Sequence, residues 1–151
     1  MMEIKVKRLT NNFQKIIEEI IEIEKEAFGA GGLNHWGFPP FIYHGAVYVA
    51  MVNKQAVGVI EYMRDFDNQE KSYLYGLAVA EDYRQQGIGN KLLEYSLNEL
   101  KERKINTVEL TVEPDNEAAL NLYRQFNFEK IAYRKAEYGP GEDRVIMKLS
   151  L

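Results

Sequence analysis

Two apolar runs, AVYVAMV and AVGVIEYM, flank Asn53-Lys54 between residues 46 and 63. Each is long enough for a strand, and the connection has room only for a tight turn, so the two must pair antiparallel. A third run, Ser72 to Ala80 (SYLYGLAVA), alternates Tyr73, Tyr75, Leu77 and Val79 against Leu74, Gly76 and Ala78. Three strands with hairpin-length connections form an antiparallel meander, and the rest of the chain must be arranged around it.

The flanking segments switch period. Residues 3–9 (EIKVKRL) alternate Ile4 and Val6 with charged neighbours, as a half-buried strand does. Residues 11–28 place Phe13, Ile16, Ile17, Ile20, Ile21 and Phe28 at helical spacing, with Asn11 or Asn12 as the expected N-cap. Residues 29–44 (GAGGLNHWGFPPFIYH) break both periods and predict a loop with one short helix. Beyond the meander, residues 83–100 read as a helix with Ile88, Leu92, Leu93, Leu97 and Leu100 on one side. INTVELTVE is a strand with Val108, Leu110 and Val112 inward, and DNEAALNLYRQF a helix capped by Asp115 or Asn116. FEKIAYRKAEY and DRVIMKLSL close the chain as a strand pair around Gly139-Pro140-Gly141. The order β-α-β-β-β-α-β-α-β-β predicts an α/β domain with a mixed central sheet.

A chain of 151 residues suits one domain, 1–151, with a real core. Nothing approaches the roughly 20 apolar residues of a membrane span, and the first residues lack a signal-peptide core. The absence of cysteine excludes disulfides, zinc–thiolate sites and thiol nucleophiles. A net charge of −4 argues against a broad nucleic-acid surface and suits a cationic partner. His35 and His44, nine apart on a loop, make no case for a metal. The expectation is a cytoplasmic protein with neither nucleic-acid nor membrane partners.

Gly87 and Gly89 stand at the head of the 83–100 helix, where each glycine costs about 1 kcal/mol relative to alanine. One explanation is a turn followed by a tight helix–sheet contact. The other is an anion: free amides and the helix dipole meet there, the glycines remove Cβ atoms, and Arg84 and Lys91 add charge. Two phosphate motifs fail. Gly87-Ile88-Gly89-Asn90-Lys91 is followed by Leu92 rather than the small residue of a dinucleotide fingerprint, and no Gly-Lys-Ser/Thr triplet occurs.

Leu77-Ala78-Val79 followed by Tyr83-Arg84-Gln85-Gln86-Gly87-Ile88-Gly89 resembles the acetyl-CoA motif of the GCN5-related N-acetyltransferases, R/Q-x-x-G-x-G/A. Asn116-x-x-Ala119-x-x-Leu122-Tyr123, then Phe128, resembles that family's second element, and the likeness covers nearly the whole chain. The resemblance implies a sheet splayed between its fourth and fifth strands, with acetyl-CoA in the gap. Leu77, Ala78 and Val79 would offer backbone groups to the pantetheine arm. Arg84, Gln85, Gln86, Gly87, Ile88, Gly89 and Asn90 would wrap the pyrophosphate, and Asn116 would hydrogen-bond the cofactor arm. Tyr123 would lie near the thioester sulfur as general acid, a role its phenol suits. The thioester oxygen would meet an amide near Val79.

The base has several candidates: Glu113 at the end of the fifth strand, Glu61 in the third, Tyr73, Tyr75, or a relayed water. Glu26-Ala27-Phe28 and Tyr138-Gly139-Pro140-Gly141-Glu142-Asp143 resemble substrate-side segments of ribosomal-protein N-terminal alanine acetyltransferases. Where those enzymes carry a catalytic glutamate, this chain has Thr111; where the family usually has glycine before Phe128, it has Asn127. The expected acceptor is a primary amine, on a small molecule or a protein N-terminus. Trp36, Tyr43 and Tyr138 are expected to wall it, with Phe38, Phe41 and His44 nearby and Glu142 and Asp143 attracting the ammonium. A homodimer, if one forms, would pair through the C-terminal strands, although no residue pattern points to one. The alternative is an acyl-CoA-binding sensor that has lost turnover.

Overall fold

A computed structural model describes residues 2–151. In chain order its elements are β1 (Lys5–Leu9), α1 (Gln14–Phe28), α2 (Phe38–His44), β2 (Ala46–Val52), β3 (Gln55–Arg64), β4 (Lys71–Val79), α3 (Ile88–Glu102), β5 (Thr107–Val112), α4 (Glu117–Gln125), β6 (Glu129–Arg134) and β7 (Arg144–Ser150). Short 3-10 turns occupy Gly29–Gly31 and Glu81–Tyr83. The predicted order holds, and α2 is the short helix anticipated within residues 29–44.

All seven strands form one sheet, in the order β1-β2-β3-β4-β5-β7-β6. β1 to β4 are antiparallel neighbours, as the meander requires, and Asn53 and Lys54 make the β2–β3 turn with φ of 49° and 67°. β4 and β5 are parallel, so α3 is the crossover between them. β7 inserts between β5 and β6, antiparallel to both.

Each face of the sheet carries its own core. Leu92, Leu93, Leu97 and Leu100 of α3 and Leu120 and Tyr123 of α4 pack on Tyr62, Leu74, Val108 and Leu110. Removing a side chain such as Leu92 from water contributes about 2 kcal/mol. Gly58 lets α3 sit close, because a Cβ there would meet Ile88 and Leu92 at 3.0 Å. On the other face Ile17, Ile20 and Ile23 of α1 and Phe38 and Ile42 of α2 cover Val47, Val49, Val59 and Ala78.

Several local expectations are corrected. Neither Asn11 nor Asn12 caps α1; the N-cap is Phe13, in extended conformation and without a side-chain cap. The buried stripe of α1 runs through Ile17, Ile20, Ile23 and Glu24, which leaves Phe13 and Phe28 exposed. Ile4 precedes β1, and β6 stops at Arg134 rather than continuing to residue 138. Glu113 lies one residue beyond β5.

Candidate active site

β4 has nine residues, but only Lys71 to Leu74 pair with β5, ending at Leu74↔Leu110. Tyr75 is an extra residue on β4, since β3 pairs Glu61 with Gly76 and Tyr62 with Leu74. This bulge sits where β4 leaves β5, and bulges of this kind bend a strand and end its pairing. The result is a gap between β4 and β5. The Ala80 amide donates to the Val57 carbonyl at 2.8 Å, so by antiparallel alternation Ala78 also faces β3. Leu77 and Val79 therefore turn their amides and carbonyls into the gap.

The chain leaves β4 through two left-handed residues, Gln85 (φ 61°) and Gly87 (φ 80°), the second being the N-cap of α3. Gly87 is thus the residue before α3 rather than part of its first turn, and its φ alone accounts for glycine, with open space where a Cβ would stand. Gly89 differs: its Cβ would meet Leu122 of α4 at 3.2 Å. The first helical bond runs from the Lys91 amide to the Gly87 carbonyl, leaving the Ile88, Gly89 and Asn90 amides without helical partners. Arg84 donates through Nε to the Val79 carbonyl at 3.0 Å, and the Asn90 amide group reaches Gln125 at 3.3 Å. A cradle of forward-pointing amides beside a guanidinium, at the end of a 15-residue helix, favours an anion.

Asn116 is the N-cap of α4, accepting from the Ala119 amide at 3.1 Å. Among the described residues none accepts from the Asn116 side-chain NH2. Tyr123, on the same helix, is buried, with its ring edge-on to Phe128 at 5.6 Å. Burial, then the Glu61 and Tyr73 charges, push its phenol far above the usual range. The hydroxyl stays protonated at physiological pH, fit to give a proton rather than take one.

Opposite this wall, three hydroxyls meet. Tyr73 of β4 lies 3.1 Å from Thr111 of β5, and Tyr138 of the β6–β7 loop is 3.3 Å from both. Thr111 and Tyr138 are therefore functional-site candidates brought together across β4, β5 and the loop. Glu113 is exposed and 3.8 Å from Arg144, whose guanidinium also lies 5.0 Å over the Tyr138 ring. Glu142 is tied to Arg144 at 3.2 Å, and Asp143 accepts from Tyr133 and the Ala136 amide, which spends both acids on shaping the loop. Phe41 packs on Tyr75 at 5.0 Å. Trp36 is 88% exposed, while Tyr43 and His44 line a separate 280 Å³ cavity with Arg8, Arg64 and Arg103, so Trp36, Tyr43 and Tyr138 do not form one wall.

Residue types alone did not single out Glu24. It is 1% exposed and faces Glu61, which is 0% exposed. A signal existed, because Glu24 falls on the stripe that Ile17 and Ile20 begin at helical spacing.

The acetyltransferase (GNAT) family model matches residues 17–128. The chain belongs to the GNAT family. An N-alpha-acetyltransferase of Sulfurisphaera tokodaii is 33% identical over 119 residues, covering 72% of this chain and 71% of that protein. A ribosomal protein bS18-alanine N-acetyltransferase of Escherichia coli K12 is 35% identical over 85 residues, 54% of this chain and 57% of that one. The crystal structure of the NatC complex bound to Gag peptide and CoA aligns at TM-score 0.86 and 25% identity, over 99% of both chains.

As a GNAT enzyme the chain is an N-acetyltransferase that draws its acetyl group from acetyl-CoA. The residues present fit that molecule. The amides of Ile88 to Asn90 and the Arg84 guanidinium suit a pyrophosphate, and Leu77 and Val79 offer hydrogen-bonding groups to an amide-bearing arm. Arg84 occupies the Val79 carbonyl, so the Val79 amide is the group left free at that residue. Bound there, acetyl-CoA supplies an activated acyl carbon and a thiolate leaving group.

Proposed function

We propose that this enzyme acetylates the α-amine of a polypeptide N-terminus. The observation that carries this reading is the acceptor side of the gap, a cluster of the Tyr73, Thr111 and Tyr138 hydroxyls with no carboxylate among them. An α-amino group titrates near 8, so about a tenth of it is already neutral at pH near 7; a lysine amine, near 10.4, is almost wholly charged. An acceptor site built of hydroxyls suits the first far better than the second. The likeness to an N-alpha-acetyltransferase and to a peptide-bound NatC structure supports the same acceptor.

In this reading the neutral amine attacks the acetyl carbon from the Tyr73–Thr111–Tyr138 side. The amides of Leu77 and Val79 border the acyl group, and one of them stabilises the oxyanion. Tyr123, from the opposite wall, gives its proton to the departing sulfur. Arg84 and Gly87 to Asn90 hold the pyrophosphate, and Asn116 uses its free NH2 on the cofactor arm.

Replacing Tyr123 with phenylalanine tests the arrangement. The expected outcome is a fall in turnover of about a hundredfold with acetyl-CoA affinity unchanged. An unchanged rate would remove Tyr123 from the chemistry. Rates with N-terminal peptides and with Nα-blocked lysine peptides test the acceptor; a preference for the lysine peptide would overturn it.

A further inference from the structure

Arg8 of β1, Arg64 of β3 and Arg103 at the end of α3 converge on the cavity of about 280 Å³, with His44 of α2 beside them. No acid belongs to its lining. The acids nearest along the chain are engaged elsewhere or shared. Glu99 accepts from the Tyr48 hydroxyl at 3.2 Å and lies 3.8 Å from Arg103 Nε, while Asp65 lies 3.9 Å from Lys71. Among the described residues no carboxylate forms an ion pair with Arg8 or Arg64.

Arg8 is the telling member. Its Nε is buried and has no hydrogen-bond partner among the described residues, while one terminal nitrogen donates to the Gly45 carbonyl at 3.3 Å. Buried polar groups are nearly always paired, and a buried charge without a counter-charge is costly. A cation at a helix C-terminus answers the helix dipole, which accounts for Arg103 as the C-cap of α3. It does not account for Arg8 and Arg64, which stand on strands. Guanidiniums gathered round a space without an acid suit an oxyanion. A phosphate ester, with three acceptor oxygens and nearly two negative charges, matches three of them better than one carboxylate does. The space exceeds the phosphate itself, and the buried Leu100 and Ile105 side chains give a carbon skeleton an apolar surface. Its volume falls at the small end of ligand pockets, which begin at about 300 Å³.

We propose that this cavity binds a small phosphate monoester, its phosphate on Arg8, Arg64 and Arg103 and its carbon part against Leu100 and Ile105. The site is separate from the acetyl-CoA gap. β4 passes the cavity at Ser72 and reaches the gap at Val79, and α3 runs from Gly87 at the gap to Arg103 at the cavity. The 15 residues of that helix span about 22 Å. The two ligands therefore sit at opposite ends of the sheet, and both can be bound at once.

The test titrates glycerol phosphate, and separately inorganic phosphate, into the full chain saturated with acetyl-CoA, so that the pyrophosphate cradle is already filled. Calorimetry should show one site for the ester, tighter than for inorganic phosphate. Arg64→Gln and Arg103→Gln should each weaken it by at least about tenfold, as loss of a charge-assisted hydrogen bond does. Lys130→Gln, which removes the same charge from β6, should leave it unchanged. The Nε–H signal of Arg8 in nitrogen-15 NMR, identified by its loss in Arg8→Lys, reads the site in the unsubstituted protein and should shift as the ester is added. An unmoved Arg8 signal overturns the site whatever the heats. Equal weakening in Arg64→Gln and Lys130→Gln would mean diffuse attraction between charges and also overturns it. Inorganic phosphate binding as tightly as the ester would overturn the ester as ligand.

Discussion

Glu61 Oε1 occupies the space beside β4 that a side chain at Gly76 would need, 2.7 Å from the position of its Cβ. The missing side chain on β4 and the buried acid on β3 are therefore one feature, created where the bulge at Tyr75 brings the Gly76 backbone opposite Glu61. Gly76→Ala should destabilise the protein by about 1–3 kcal/mol, as overpacking does. Glu61→Ala in the same chain should recover part of that loss, a non-additivity readable from urea unfolding of the two single variants and the double.

The two glycines at α3 should separate. Gly87→Ala meets no atom but must hold φ at 80°, which costs about 1–2 kcal/mol. Gly89→Ala meets only the end of the Leu122 side chain, 3.2 Å away, and should change melting temperature little. If the amides of Ile88 to Asn90 hold the pyrophosphate, Gly89→Ala still weakens acetyl-CoA binding, by calorimetry, far more than its stability loss explains.

Asn116 can be divided by chemistry. Asn116→Ala removes the cap on Ala119 and should cost about 1 kcal/mol, whereas Asn116→Asp keeps the acceptor and the cap. Both remove the NH2 donor. Equal loss of acetyl-CoA affinity in the two, with a stability loss only in the first, is the expected pattern; full affinity in the aspartate variant would confine Asn116 to capping.

The Glu24–Glu61 pair also predicts a slope in stability with pH. Both acids are raised above 4.5 in the folded state, so the folded protein retains protons there that the unfolded chain releases. The pair's proton-linked contribution is full below about 4.5 and is lost as pH rises through the folded values. Urea midpoints of wild type should therefore fall relative to Glu61→Gln as pH rises, and parallel curves would refute the raised pair.

Much of this was legible in the sequence. The turn at Asn53-Lys54, the leucine stripe of α3 and the Gly87–Gly89 head declare themselves through period and backbone demand, which are local properties. The splay was legible only through family likeness, because the bulge at Tyr75 depends on register against β3 and no local pattern encodes it. The meeting of Tyr73, Thr111 and Tyr138 depends on β7 inserting beside β5, a choice made by the whole sheet. Asn11 and Asn12 misled for the opposite reason: both have the chemistry of a cap, but α1 begins after Phe13, whose extended backbone makes it the N-cap with no side-chain bond.

The gap gives β4 an edge in the interior of the sheet, and that edge has a readable rhythm. Along one short strand the amides of Gly76 and Ala78 are bonded to β3 while those of Leu77 and Val79 are not, so deuterium should enter every second residue quickly and its neighbours slowly. A molecule lying in the gap would complete the pattern as a missing strand does, and the alternation should flatten at those two residues first.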